Sequence, residues 1–325
     1  MPSIASIGRR VRDWLEAHGF ARREAAVALP RVLGPYHVAG LVGSGGSGTV
    51  YRCYDVHRGR VVAVKRLHPA LRSSPGARRR FLHEGRVAKA IRDDHVVATH
   101  AVLAREDPPL LVMEYLAGGS LEDHIAATGP LPVEEVVHVG MDVARGLDAI
   151  HARGLVHTDL KPANVLVDDT HGRLAIGDLG LARVLEAHGR STRAAPAVGT
   201  PSYVSPEQAQ SFPLGPASDL YSLGAVLYAT CTGTPPFPGD STVAVLRDLL
   251  GREPPPLRER REDVPGWLAA LIHELLSKTP AFRPRSARAV LAGLEEHGLR
   301  CDPRSCAFRR RATPIGRARS GADCG

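Results

Sequence analysis

The chain carries the run His157-Thr158-Asp159-Leu160-Lys161-Pro162-Ala163-Asn164, and its architecture can be read outward from there. Downstream stand Asp178-Leu179-Gly180 and then Ser205-Pro206-Glu207. Upstream lies Val62-Ala63-Val64-Lys65, and before it Gly43-Ser44-Gly45-Gly46-Ser47-Gly48-Thr49-Val50. The lysines stand out. The chain has 38 Arg and only four Lys, at 65, 89, 161 and 278. Where any cation will do, this protein uses arginine, so Lys65 and Lys161 mark places that need a compact point charge.

A lone G-x-G-x-x-G is weak evidence, because dinucleotide-binding folds use the same letters with a helix after the glycines. Here Val50-Tyr51-Arg52-Cys53-Tyr54 alternates like a strand, His57-Arg58-Gly59-Arg60 reads as a turn, and Val61–Val64 is a second strand. Strand, turn and strand predict a glycine-rich hairpin laid over phosphates. Glycine there lets backbone N–H groups approach phosphate oxygens closely. Lys65 ends the second strand. Glu84 follows nineteen residues later inside an expected helix, Gly76–Ile91. Alone it would be a solvated acid; paired with Lys65 it would hold that amine on a nucleotide.

In this order and spacing the motifs resemble the protein kinase family, above all the eukaryotic-like Ser/Thr kinases of bacteria. The resemblance covers roughly residues 36–297. It implies an α+β, bilobal protein-kinase fold with a β-rich N-lobe over about 36–113 and an α-helical C-lobe over about 117–297. It also implies ATP and Mg²⁺ as cofactors and protein Ser/Thr hydroxyls as acceptors. Position by position, it makes Asp159 the catalytic base and Lys161 the cation that steadies the γ-phosphate. Lys65 and Glu84 form the pair on the α- and β-phosphates. Asn164 and Asp178 bind Mg²⁺ through hard oxygens. Gly43, Ser44, Gly45, Gly46, Ser47 and Gly48 cover the nucleotide, with Val50 and Ala63 on the adenine ring. Met113 is the gatekeeper before the hinge Glu114-Tyr115-Leu116. Asp219 resembles the residue that anchors the catalytic loop, Glu207 and Arg283 the family's buried ion pair, and Gly199–Tyr203 the substrate-proximal loop.

Two positions depart from the pattern. Thr158 stands where many members have an arginine that grips an activation-loop phosphate, although Arg183 can supply part of such a pocket. Leu179 replaces the usual Phe and keeps the site apolar with a looser fit. Ser191 and Thr192 are candidate phosphosites, or simply loop hydroxyls.

The bulk properties set the limits. A chain of 325 residues with 43% hydrophobic content is long enough for two lobes with real cores. Five scattered cysteines without C-x-x-C spacing suggest reduced thiols and a cytoplasmic protein. No H-E-x-x-H pair marks a zinc site. The most apolar stretch, Leu220–Thr230, is too short to span a bilayer. Arg9, Arg10 and Arg12 precede no apolar run, which argues against a secretory leader.

The net charge is +8, but residues 1–34 carry +3 and residues 301–325 carry +4. The body is near neutral, which argues against a folded nucleic-acid-binding face. Residues 1–34 read as a helical extension, with a stripe over 4–16, and a linker; residues 298–325 read as a basic disordered tail. Pro132 is placed to start a helix that Gly154 stops, and Ala217–Thr232 is apolar nearly all round, as in a buried helix. The Pro254-Pro255-Pro256 run and the charges after it read as an exposed loop.

The rival to an active kinase is a scaffold with the fold but no transfer. Such a protein would lack one of the five polar residues, and Lys65, Glu84, Asp159, Asn164 and Asp178 are all here. The resemblance further allows autophosphorylation through a homodimer and a signalling role.

Overall fold

Alternation along Arg60–Leu67 sets the first layer. Val62 and Val64 point to one face of a sheet, Ala63, Lys65 and Leu67 to the other, as the period of two requires. The computed structural model describes residues 29–46, 48–179, 183–184 and 201–297. The helix expected over 4–16 and the tail from 298 lie outside them. So do Ser47, Gly180, Ser191, Thr192, Gly199, Thr200 and the Arg183 side chain.

Six antiparallel strands form the N-lobe sheet in the order β1-β2-β3-β4-β6-β5. They are β1 (Val32–Leu33), β2 (Tyr36–Ser44), β3 (Gly48–Asp55), β4 (Arg60–Leu67), β5 (Thr99–Leu103) and β6 (Leu110–Glu114). The glycine-rich hairpin is β2–β3, with Gly43 opposite Val50. β5 and β6 extend the sheet beyond the strands read from the sequence.

Helix α1 (Pro75–Ala90) packs on the Lys65 face. Ser74 caps it by accepting the Ala77 N–H, and Pro75 fills its first turn. Its buried stripe is Ala77, Phe81, Glu84, Gly85 and Ala88. A carboxylate thus sits where helical spacing asks for an apolar side chain.

The C-lobe holds α2 (Leu121–Thr128), α3 (Val133–His151), α4 (Pro206–Ala209), α5 (Pro216–Thr232), α6 (Thr242–Gly251), α7 (Leu257–Arg260), α8 (Gly266–Leu275) and α9 (Ala287–His297). Short strand pairs interrupt the helical pattern: β8 (Val165–Asp168) with β9 (Arg173–Ile176), and β7 (Leu155–Val156) with β10 (Arg183–Val184). α5 is buried almost all round, as its composition predicts. The main core gathers Val136, Leu147, Leu220, Leu223, Ile272 and Leu294 from α3, α5, α8 and α9.

The proline run corrects the sequence reading. Pro254 is buried, only Pro256 is exposed, and the Pro255 carbonyl accepts the Tyr228 hydroxyl at 3.2 Å. The charged stretch beyond it is largely exposed, as expected, but opens as the short helix α7, anchored by buried Leu257. Burying Pro254 forfeits no donor, because proline has no backbone N–H to satisfy.

Candidate active site

Three distant segments converge on one amine. Lys65 Nζ lies 2.9 Å from Glu84 Oε1 and 2.7 Å from Asp178 Oδ1. Lys65 and Glu84 are buried, while the Asp178 side chain is 46% exposed and open to the cleft between the lobes. Burial alone would lower the Lys65 amine, yet the Asp178 and Glu84 carboxylates outweigh it and hold the ammonium above its ordinary value. For Glu84 burial wins. Its carboxyl is pushed up, Lys65 opposing and Asp178 adding repulsion. Two carboxylates share one cation, an arrangement that gains from a further positive charge.

The catalytic-loop run is fixed by its own backbone. Asp219, buried at the start of α5, accepts the His157 and Thr158 N–H groups on its two oxygens, each at 2.8 Å, and His151 Nε2 at 2.8 Å. Asp159 donates its N–H to His157 Nδ1 at 3.2 Å, so the ring proton sits on Nε2, which donates to the Gly177 carbonyl at 3.0 Å. His157 thereby ties the run to the residue before Asp178. Asp159 Oδ2 receives Lys161 Nζ at 2.9 Å and Asn164 Nδ2 at 3.1 Å. Asn164 Nδ2 also donates to the Asp159 carbonyl at 2.8 Å, which leaves its Oδ1 as the atom for a cation.

Two residues here have left-handed backbone: Thr158 at φ 65° and Asp178 at φ 52°. Aspartate visits that region readily, whereas for a β-branched residue it is an outlier costing about 1–3 kcal/mol. Thr158 is held there from both sides, by Asp219 at its N–H and by Gln208 Nε2, which donates to its carbonyl at 2.9 Å. Sequence reasoning assigned no role to Gln208, His157 or His151.

Register places the remaining candidates. Val50 is opposite Lys65 on β3 and β4, and Ala63 is opposite Met113 on β4 and β6. All four share the sheet face that looks into the cleft. Glu114 N–H donates to the Ala98 carbonyl at 2.9 Å, and the Glu114 carboxylate takes Arg173 from β9. Leu116 is buried with Val97 and Ala175. Leu179 is 5% exposed within the C-lobe core, so apolar packing at that position is kept.

At the hairpin tip Gly45 and Gly48 exchange backbone hydrogen bonds at 2.9 and 3.3 Å, and Ser44 Oγ meets Thr49 Oγ1 at 3.1 Å. A Cβ on Gly48 would lie 2.3 Å from the Arg66 carbonyl oxygen, so packing demands that glycine. Gly43, Gly45 and Gly46 have open space where a Cβ would go. Internal packing does not require glycine at those three, and the open space there would let a ligand approach the backbone closely. Asn164 Oδ1 and the Asp178 carboxylate are hard oxygen donors beside a lysine point charge, a set that suits Mg²⁺ and phosphate oxygens.

The protein kinase domain family matches residues 36–292. The chain belongs to this family. It is 34% identical to serine/threonine-protein kinase PknB of Mycobacterium leprae over 269 residues, 82% of this chain and 43% of that protein. PknB of Mycobacterium tuberculosis is 35% identical over 264 residues, 80% and 42% of the two chains. The serine/threonine-protein kinase drp72 of Corynebacterium efficiens is 40% identical over 274 residues, 81% and 52%. This kinase domain therefore falls in the eukaryotic-like Ser/Thr branch of bacteria, and the chain spans about half the length of these relatives. Among the described residues of the domain, no helix is long and apolar enough to cross a membrane.

Proposed function

We propose that this protein transfers the γ-phosphoryl group of ATP to serine and threonine hydroxyls of proteins. The observation that carries the proposal is Lys65 held at 2.9 Å by Glu84 and at 2.7 Å by Asp178. Strand β4, helix α1 and the segment after β9 meet at that amine, which supports reading the space between the lobes as a nucleotide cleft. Phosphoryl transfer asks little covalent chemistry of a protein, so positioning and charge are what the residues must supply.

In this reading Gly43, Ser44, Gly45, Gly46, Ser47 and Gly48 cover the phosphates. Val50, Ala63, Met113, Glu114 and Leu116 receive the adenine. Lys65 binds phosphate oxygens, with Glu84 keeping its amine in place. Asn164 Oδ1 and Asp178 would hold Mg²⁺, which when bound neutralises charge on the phosphate oxygens. Asp159 accepts the proton of the acceptor hydroxyl, and Lys161, 2.9 Å from it, places a positive charge beside the incoming oxygen.

We assign the kinase domain to residues 36–297, with an extension over 1–34 and a basic tail over 298–325. The mycobacterial and corynebacterial relatives, themselves serine/threonine-protein kinases, support Ser/Thr specificity. Autophosphorylation, self-association, a signalling role and a cytoplasmic location belong to the same proposal. The two described cysteines, Cys53 and Cys231, are free and buried, as suits a reducing compartment. The deciding experiment is labelling of a generic protein substrate with γ-labelled ATP, wild type against Asp159→Asn. Phosphoserine and phosphothreonine in the wild type alone support the proposal; equal labelling in both overturns the role of Asp159.

A further inference from the structure

The N-lobe carries a second polar site, on the sheet face turned away from Lys65. Tyr36 pairs with Asp55, and Asp55 with Arg60, so β2, β3 and β4 set these three side by side at one end of the sheet. The turn after β3 adds His57 and Arg58. The irregularity in β5 between Thr99 and Ala101 adds His100. Together they line a cavity of about 140 Å³, backed by Val112 from the apolar face of the sheet. None of these residues lines the cleft around Lys65.

The charges in this cavity are unbalanced. Asp55 Oδ1 accepts the His57 and Arg58 N–H groups, both at 3.1 Å, and its single negative charge stands against two guanidiniums. Among the described residues, neither Arg58 nor Arg60 makes a side-chain hydrogen bond or an ion pair. The Nε of Arg60 is buried with no partner. Buried N–H donors are nearly always satisfied, and one left without an acceptor is costly. Burial, and next the field of Arg60, holds the His100 imidazole below its ordinary value, with Arg58 acting in the same sense against Glu114 and Asp55.

The geometry points to an oxyanion site: Arg58 and Arg60, with His100 at the rim, take a phosphate group, either as inorganic phosphate or as a phosphate monoester on a protein segment. Guanidinium forks match the oxygens of phosphate, and charge-assisted bonds of this kind are strong. The inference does not rest on the catalytic proposal, since it would hold for a domain that transfers nothing.

The test is calorimetric titration of inorganic phosphate into the full chain, its nucleotide cleft already filled with a non-hydrolysable ATP analogue and Mg²⁺. The expected result is saturable binding in the wild type, weakened about tenfold or more in Arg58→Ala and in Arg60→Ala. Arg60 is half-buried, so its variant needs an unchanged melting temperature to count. Arg58→Glu, in the exposed turn, gives an independent reading. No saturable binding, or binding equal in wild type and variants, overturns the site. A phosphoserine peptide run in parallel distinguishes the sources. Binding about tenfold tighter than inorganic phosphate, lost in Arg58→Glu, assigns the site to a phosphorylated segment. Equal affinities assign it to the free oxyanion.

Discussion

Arg283 grips Glu207 with both arms of its guanidinium, Nη1 to Oε1 at 2.7 Å and Nη2 to Oε2 at 2.9 Å, and both side chains are buried. The same guanidinium donates to the carbonyls of Ser277 and Ala217 and lies over the Tyr221 ring. One side chain thereby joins α4, the start of α5 and the segment before α9. Arg283→Ala leaves Glu207 buried and unpaired, and should cost the C-lobe about 3–5 kcal/mol. Denaturant unfolding measures it; an unchanged midpoint would show that the pair contributes nothing.

The same pair sets an acid limit. Burial would raise the Glu207 carboxyl, but the hydrogen bonds and charge of Arg283 hold it below its ordinary value of 4.5. A lowered carboxyl pKa contributes stability that is complete above the unfolded value and lost as pH falls through the folded one. Wild-type stability should therefore drop below about pH 4.5, and Glu207→Gln should show a shallower drop. Parallel pH profiles for the two proteins would remove Glu207 from the acid response.

Asp178→Ala removes a carboxylate from the proposed Mg²⁺ site and one of the two anchors of Lys65. A loss of about 3 kcal/mol of transition-state stabilisation corresponds to roughly a hundredfold slower transfer. Nucleotide binding should also lose its dependence on Mg²⁺, which titration with and without the metal reads directly. Activity within about tenfold of wild type would contradict the metal assignment.

Lys65→Met separates chemistry from structure. Lys65 is 3% exposed and satisfies Glu84, so its loss should lower stability by about 1–3 kcal/mol as well as abolish transfer. Adding Glu84→Gln removes the stranded charge. The double variant should recover melting temperature and stay inactive. Recovery of activity along with stability would make Lys65 a structural residue only.

What could be read from the sequence follows a physical line. Lys65 was visible because lysine is scarce here, and Glu84 because it falls at a set distance inside a helix. That Lys65 also reaches Asp178, 113 residues on, is a tertiary contact with no local trace. Gln208 was invisible for a different reason: a neutral amide after a proline looks like surface, and its partner is the backbone of Thr158. The proline run misled because composition reports solvent preference, while Pro254 is covered by packing that only the fold supplies. Strands β5 (Thr99-His100-Ala101-Val102-Leu103) and β6 (Leu110-Leu111-Val112-Met113-Glu114) do not alternate polar with apolar residues, so no period of two marks them in the sequence.

The last prediction concerns regulation. Kinases with arginine before the catalytic aspartate use it to bind an activation-loop phosphate, and the ordering energy of that charge-assisted pair aligns the loop. Thr158 brings no charge to this position. It is buried, and its backbone is fixed by Asp219 and Gln208 without any phosphate. The strained conformation beside Asp159 is thus maintained by hydrogen bonds that are permanent features of the fold. Phosphorylation of Ser191, Thr192 or Thr200 should then add little. Phosphatase-treated protein should keep most of its initial rate toward a generic substrate, measured at early times before self-phosphorylation. Gln208→Ala, in contrast, should lower the rate at saturating substrate while leaving KM for ATP unchanged, because it loosens the aspartate and not the nucleotide cleft. A long lag that pre-incubation with ATP removes would show that the catalytic loop is not organised until a phosphate arrives.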